Sequence, residues 1–86
     1  MKFSVKINIM PQDALLDPQG KTIEKNTTKL DIENISNIRI GKHITLDVES
    51  KNTSEAKKTI EEICNKLLVN QITEQYDYEI LDLIKI

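Results

Sequence analysis

Apolar and polar positions alternate over residues 3–9. Phe3, Val5, Ile7 and Ile9 point one way and Ser4, Lys6 and Asn8 the other, which predicts a half-buried strand. Pro11 has no N–H to give a ladder and ends it. After a connection over 11–16, Asp17-Pro18 reads as a helix start, with Asp as N-cap and Pro at the first helical position. The spacing of Ile23, Thr27 and Leu30 predicts a helix to about Leu30 with that stripe facing inward. Asn26, Thr27 and Thr28 make it a weak helix former that packing against a sheet has to hold. Ile35, Ile38 and Ile40 predict a second strand over 35–40. Gly41-Lys42 then reads as a hairpin turn into a third strand over 43–49, with Ile44, Leu46 and Val48 inward. Asn52-Thr53-Ser54 is a polar break at which Thr53 or Ser54 caps a second helix, with Glu55 suited to its first turn. Ala56, Ile60, Ile63, Cys64 and Leu67 recur at helical spacing. Tyr76, Tyr78 and Ile80 predict a last strand over 76–80. The apolar tail Leu81, Leu83, Ile84 and Ile86 either extends that strand or covers part of an interface.

The resulting order is β-α-β-β-α-β. It predicts an α+β fold: a four-stranded antiparallel sheet with two helices on one face, the ferredoxin-like layout. One sheet face stays uncovered, and an uncovered apolar face invites a second subunit.

Size sharpens that expectation. With 86 residues and 9.9 kDa the chain reads as a single domain over 1–86. Surface scaling gives roughly 5,200 Å² exposed when folded, with roughly two-thirds of the unfolded surface buried. Small domains of this kind gain stability by oligomerising. The formal net charge is −2 with mixed signs, Arg39 is the only arginine, and Phe3, Tyr76 and Tyr78 are the only aromatics. That argues against nucleic-acid binding, which needs a basic patch interleaved with aromatics. No run of 18 apolar residues suggests a membrane span, and no signal-peptide pattern stands at the start. The reading is a cytoplasmic protein.

The residues themselves do not demand catalysis. His43 is the only histidine and Cys64 the only cysteine, so neither a disulfide nor an all-protein zinc site can form within the chain. His43 falls on the hairpin with no partner named by the sequence, and a general base needs one. Cys64 lies on the apolar stripe of the second helix, where it acts as a small hydrophobe. Gly20 and Gly41 are too far apart for a phosphate-cradling loop. Glu61-Glu62 and Asp47/Glu49 fit solvated faces.

Three polar clusters stand out. Leu16-Asp17-Pro18-Gln19-Gly20-Lys21 is a capped helix start, yet Gly20 weakens the first turn and suits close approach of another backbone. Arg39-Ile40-Gly41-Lys42 is either a hairpin turn with solvated cations or a contact surface. Asn70 follows the second helix as a C-cap residue.

Together with Cys64-Asn65-Lys66-Leu67-Leu68-Val69-Asn70 and Tyr76-Asp77-Tyr78-Glu79-Ile80, these clusters resemble the PurS family in order and spacing from about residue 3 to residue 80. PurS proteins are small subunits of phosphoribosylformylglycinamidine synthase. Leu16 to Gly20 is the most specific piece. Three departures are visible. Asp31 follows Leu30 where the family has Leu-Gly, Gln71 follows Asn70 where Asn-Pro is common, and the apolar tail is longer.

The resemblance implies a non-catalytic subunit of an ATP-dependent ligase that forms a C–N bond with glutamine as amide donor, in purine biosynthesis. It implies a homodimer, with a tetramer as the larger alternative, bridging a glutaminase subunit and a large synthetase subunit and supporting ammonia transfer. The complex uses ATP and magnesium, while this chain is expected to bind no cofactor and no metal and to carry no catalytic residue. Asp17, Pro18, Gln19, Gly20, Lys21, Arg39, Gly41 and Lys42 are the partner-interface candidates by motif position. Fold does not fix function, and the alternative reading is a ferredoxin-like regulatory module that binds a small metabolite.

Overall fold

The cleanest alternation in the chain becomes the middle of the sheet. In the computed structural model, which describes residues 1–81, β1 (Lys2–Pro11) pairs antiparallel on one side with β2 (Lys42–Glu49) and on the other with β3 (Glu74–Leu81). Val5 stands between Leu46 and Ile80, and Ile7 between Ile44 and Tyr78. These cross-strand rows make one face apolar. On it lies α2 (Thr53–Ile63) with the π-helical turn Cys64–Leu68 that continues it. Phe3, Val5, Ile7, Ile9, Val48, Ala56, Ile60, Cys64 and Val69 form the buried core. Burial of each large aliphatic side chain in that set contributes about 1.5–3 kcal/mol.

The expected four strands reduce to three among the described residues, in the order β2-β1-β3. Residues 35–40 are not a strand. Asp31, Asn34 and Asn37 have φ of 58°, 66° and 56°, a left-handed conformation that Asn and Asp tolerate best after Gly. Three such residues in one connection break any continuous extended run. The first closes α1 (Pro18–Lys29): Ile32 N–H donates to Thr27 O and Asp31 N–H to Thr28 O, a Schellman ending with Asp31 in the usual glycine place.

Four further expectations are corrected. Gly20 is the only buried residue of α1, while Ile23 is 40 % and Leu30 70 % exposed, so the stripe meant to hold α1 on the sheet has no cover. The uncovered sheet face is polar rather than apolar, carrying Lys6 and Asn8 of β1 beside Thr45 and His43 of β2 and Glu79 and Asp77 of β3. The α2 cap is Asn52, whose side chain accepts from Glu55 N–H at 2.9 Å. The π turn changes the phase of the helical stripe, so Leu67 is 75 % exposed and Leu68 and Val69 turn inward instead. Leu81 ends β3; the rest of the apolar tail, residues 82–86, lies outside the described residues.

Candidate functional site

Asp17 is the hinge on which the two polar segments meet. As N-cap of α1 its Oδ1 accepts from Gly20 N–H at 3.1 Å. Its other oxygen accepts from Ile40 N–H at 2.6 Å. These two donors, that of Ile40 foremost, and the nearby Arg39 guanidinium hold the carboxyl below its ordinary range against the opposing effect of desolvation. Two turns further on, Glu24 accepts from Ile38 N–H at 2.7 Å. The backbone of residues 38–40 is thus clipped to α1 by two carboxylates.

Gly20 makes that approach possible. A Cβ there would stand 2.8 Å from the Ile38 carbonyl carbon and closer still to its oxygen. Gly41 serves the same end: a Cβ would run into the Ile9 carbonyl oxygen and the Met10 sulfur. Neither glycine has a positive φ, so space is what both positions require.

Arg39 reaches back across the connection after β1. Its Nη1 donates to Leu15 O at 2.9 Å and its Nη2 to Gln12 O at 2.8 Å. A planar fork with several fixed donors suits this pair of carbonyls, and a lysine could not span them. Lys42 pairs with Glu74 at 3.2 Å. Glu74 also accepts from Asn70 N–H at 2.8 Å. This N–H and the Lys42 charge hold its carboxyl below the usual value.

The junction separates two clefts. One, of about 550 Å³, is lined by Ile9, Pro18, Gln19, Gly41, Lys42 and Glu74 among others. The second, of about 290 Å³, holds Lys21, Glu24 and Arg39 beside Leu15 and Leu16. Leu16 is 71 % exposed. Every candidate position therefore gathers at one end of the sheet, with Gly20 pressed on Ile38 between the clefts. Sequence reading missed Glu24 and Glu74. Glu24 had a signal, since Asp17, Gly20, Lys21 and Glu24 follow i, i+3, i+4, i+7 spacing on one helical face. Glu74 had none, because its partners lie across the fold.

His43 finds partners the sequence did not name. Asn8 Nδ2 donates to Asp77 at 3.1 Å, so Asn8 Oδ1 is left to accept from His43 Nδ1 at 2.7 Å. The row lies exposed on the open sheet face. Cys64 is buried in the core, and desolvation pushes its thiol pKa up. Neither arrangement makes a nucleophile and base pair. Among the described residues, no group of three or more His, Cys, Asp or Glu side chains could hold a metal ion, and no helix is long and apolar enough to cross a membrane.

The family model for PurS, phosphoribosylformylglycinamidine (FGAM) synthase, matches residues 4–82. The chain belongs to the PurS family. PurS of Bacillus subtilis is 29 % identical over 95 % of this chain and 96 % of its own length. PurS of Thermotoga maritima is 32 % identical over 87 % and 92 %. Solved structures agree. A chain of the PurLQS structure from Thermotoga maritima superposes with a TM-score of 0.87 at 31 % identity, covering 94 % of this chain and 99 % of that one. The Bacillus subtilis PurS structure gives 0.82 at 30 % identity, with 93 % and 99 % covered. The PurS fold is therefore the fold of this chain, and its family is that of an FGAM synthase subunit.

Proposed function

We propose that this chain is the non-catalytic bridging subunit of its FGAM synthase, docking a glutaminase subunit onto an ATP-dependent synthetase so that ammonia passes between them. The observation that carries the reading is the likeness to a chain of the PurLQS structure over nearly its whole length, joined to a junction built for contact rather than chemistry. Asp17, Gly20, Arg39, Gly41 and Lys42 brace two loops at one end of the sheet and leave Leu15, Leu16 and Gln19 facing outward. Free ammonia protonates and diffuses away in water, so the sites that release and use it must be held together and shielded. A small braced domain that works as a homo-oligomer, in the cytoplasm with its purine-pathway partners, fits that need. ATP and magnesium act on the larger subunit in this reading.

The test is reconstitution with a matching synthetase and glutaminase. Glutamine-dependent amidination should require this chain, while amidination fed with free ammonium should largely not. Arg39→Ala should weaken co-elution with the partners and leave the isolated protein folded by circular dichroism. If both activities ignore the chain, the bridging reading falls; a rise in melting temperature with small metabolites would then favour a regulatory module.

A further inference from the structure

Leu67 and Ile72 are the two most exposed large apolar side chains among the described residues, at 75 % and 85 %. Both stand on one corner, where the π turn Cys64–Leu68 leads into β3. Single apolar residues scattered over a surface need no explanation. These two differ in how they come to be there. Leu67 follows the fully buried Ile60 and Cys64 at i+7 and i+3, so continued α-helical spacing would carry it into the core. The π turn swings it out. The closing bond runs from Val69 N–H to Cys64 O at 3.0 Å, one residue longer than an α-helical bond, and such single turns are rare and gather at functional sites.

The corner is braced as well as exposed. Asn70 Oδ1 accepts from the N–H groups of Ile72 at 3.0 Å and Thr73 at 3.3 Å. Asn70 O accepts from Glu74 N–H at 2.8 Å. Gln71 Nε2 donates to Asn65 Oδ1 at 3.1 Å, and the Tyr76 hydroxyl donates to the same oxygen at 3.4 Å. An apolar tip on a braced turn is ready for a partner, since little freedom is left to lose on binding.

The same bonds join the corner to the junction. Gln12 N–H donates to Thr73 O and Gln12 Nε2 to Glu74 O, each at 2.8 Å. The Glu74 carboxylate takes the Asn70 N–H and pairs with Lys42. The loop after β1, the start of β2 and the turn over 70–74 are therefore one end of the molecule. Two side chains expose only a fraction of the about 800 Å² that each partner buries in a standard interface. The corner thus serves as one part of a larger contact, and the junction is the surface it continues.

We infer that Leu67 and Ile72 are apolar anchors by which a larger subunit of the synthase grips this end of the chain, through a socket lined with aliphatic side chains. The inference rests on the bridging reading and adds to it a contact that the junction residues do not make. Anchors of this kind sit in desolvated pockets inside a polar rim, and Asn65, Gln71 and Tyr76 supply that rim. The π turn is what converts Leu67 from a core residue into a contact residue.

The experiment titrates the chain into fixed amounts of a matching synthetase and glutaminase and follows glutamine-dependent amidination, using wild type, Leu67→Ser, Ile72→Ser and Leu67→Met. The concentration for half-maximal activation should rise about tenfold in each serine variant. It should stay within about twofold of wild type in Leu67→Met, which keeps an apolar side chain of similar volume. Both serine variants should melt close to wild type and keep its mass by light scattering. Ile72 lies in a turn outside the helices and strands, so its variant carries the test even where Leu67→Ser does not fold. If the wild-type chain is required and Ile72→Ser activates at the same concentration, this inference alone falls. Loss of self-association in the serine variants also overturns it, by giving the corner to a second copy. If the wild-type chain is not required at all, the bridging reading falls and this inference with it.

Discussion

Replacing Gly20 by Ala sets two effects of opposite sign against each other. Gly in a helix costs about 1 kcal/mol relative to Ala, so by propensity alone the variant should gain that much. The geometry says otherwise. The added methyl would stand 2.8 Å from the Ile38 carbonyl carbon, which is backbone and cannot rotate away. Either α1 or residues 38–40 must shift, and overpacking of this kind costs about 1–3 kcal/mol. The shift also loosens the bonds from Ile38 and Ile40 to Glu24 and Asp17. We expect a net loss of about 1–2 kcal/mol, a fall in Tm of roughly 5–15 °C for a domain of this size. Thermal unfolding followed by circular dichroism at one fixed protein concentration checks it, because association makes Tm depend on concentration. Asn26→Ala, on an exposed part of α1, is the control for propensity alone. If Gly20→Ala gains stability as Asn26→Ala does, the close approach of the two segments is wrong.

Two further predictions concern charge and backbone strain. Asp17 and Glu74 have folded pKa values below their ordinary 3.8 and 4.5, so their stabilising effect is present above the ordinary values and is lost as pH falls through the folded ones. The urea midpoint should be flat from pH 7 to about 5 and drop below about pH 4, with Asp17→Asn showing a shallower drop; an equal slope in the variant would reject Asp17 as a contributor. Asp31→Gly should raise stability by about 0.5 kcal/mol, since Asp31 sits at φ 58° where Gly is unstrained. Lys29→Gly, inside the last turn of α1, should lose about 1 kcal/mol. Equal losses in both would show that Asp31 carries no strain.

What the sequence made legible is what local periodicity controls. Phe3 to Ile9 predicted the central strand, and at its middle Val5 and Ile7 each meet a largely apolar neighbour on both sides. Ile44 to Val48 and Tyr76 to Ile80 followed for the same reason. The second helix was legible to Cys64 and no further, because a π turn adds a residue to the turn and 3.6-residue spacing then points at Leu67 instead of Leu68. The fourth strand failed on a different ground. Ile35, Ile38 and Ile40 alternate well enough, but pattern does not say whether a chain folds back or runs on. The carboxylates that capture Ile38 and Ile40 are many residues away, on α1. The candidate site was legible as motif and not as geometry. Asp17 and Gly20 drew notice as a cap and an odd helix residue, yet their common target, the backbone of 38–40, depends on the tertiary fold.

β1 occupies the centre of the sheet but comes before both of its partners in the chain. Lys2 pairs with Glu49 and Pro11 with Glu74, so no rung of either ladder can form while only the first forty residues have left the ribosome. Through that interval Phe3, Val5, Ile7 and Ile9 form an unpartnered β-prone stretch. The sheet therefore cannot close until β3 has been made, and a ribosome stalled before that point leaves one side of its stickiest segment open to the cell.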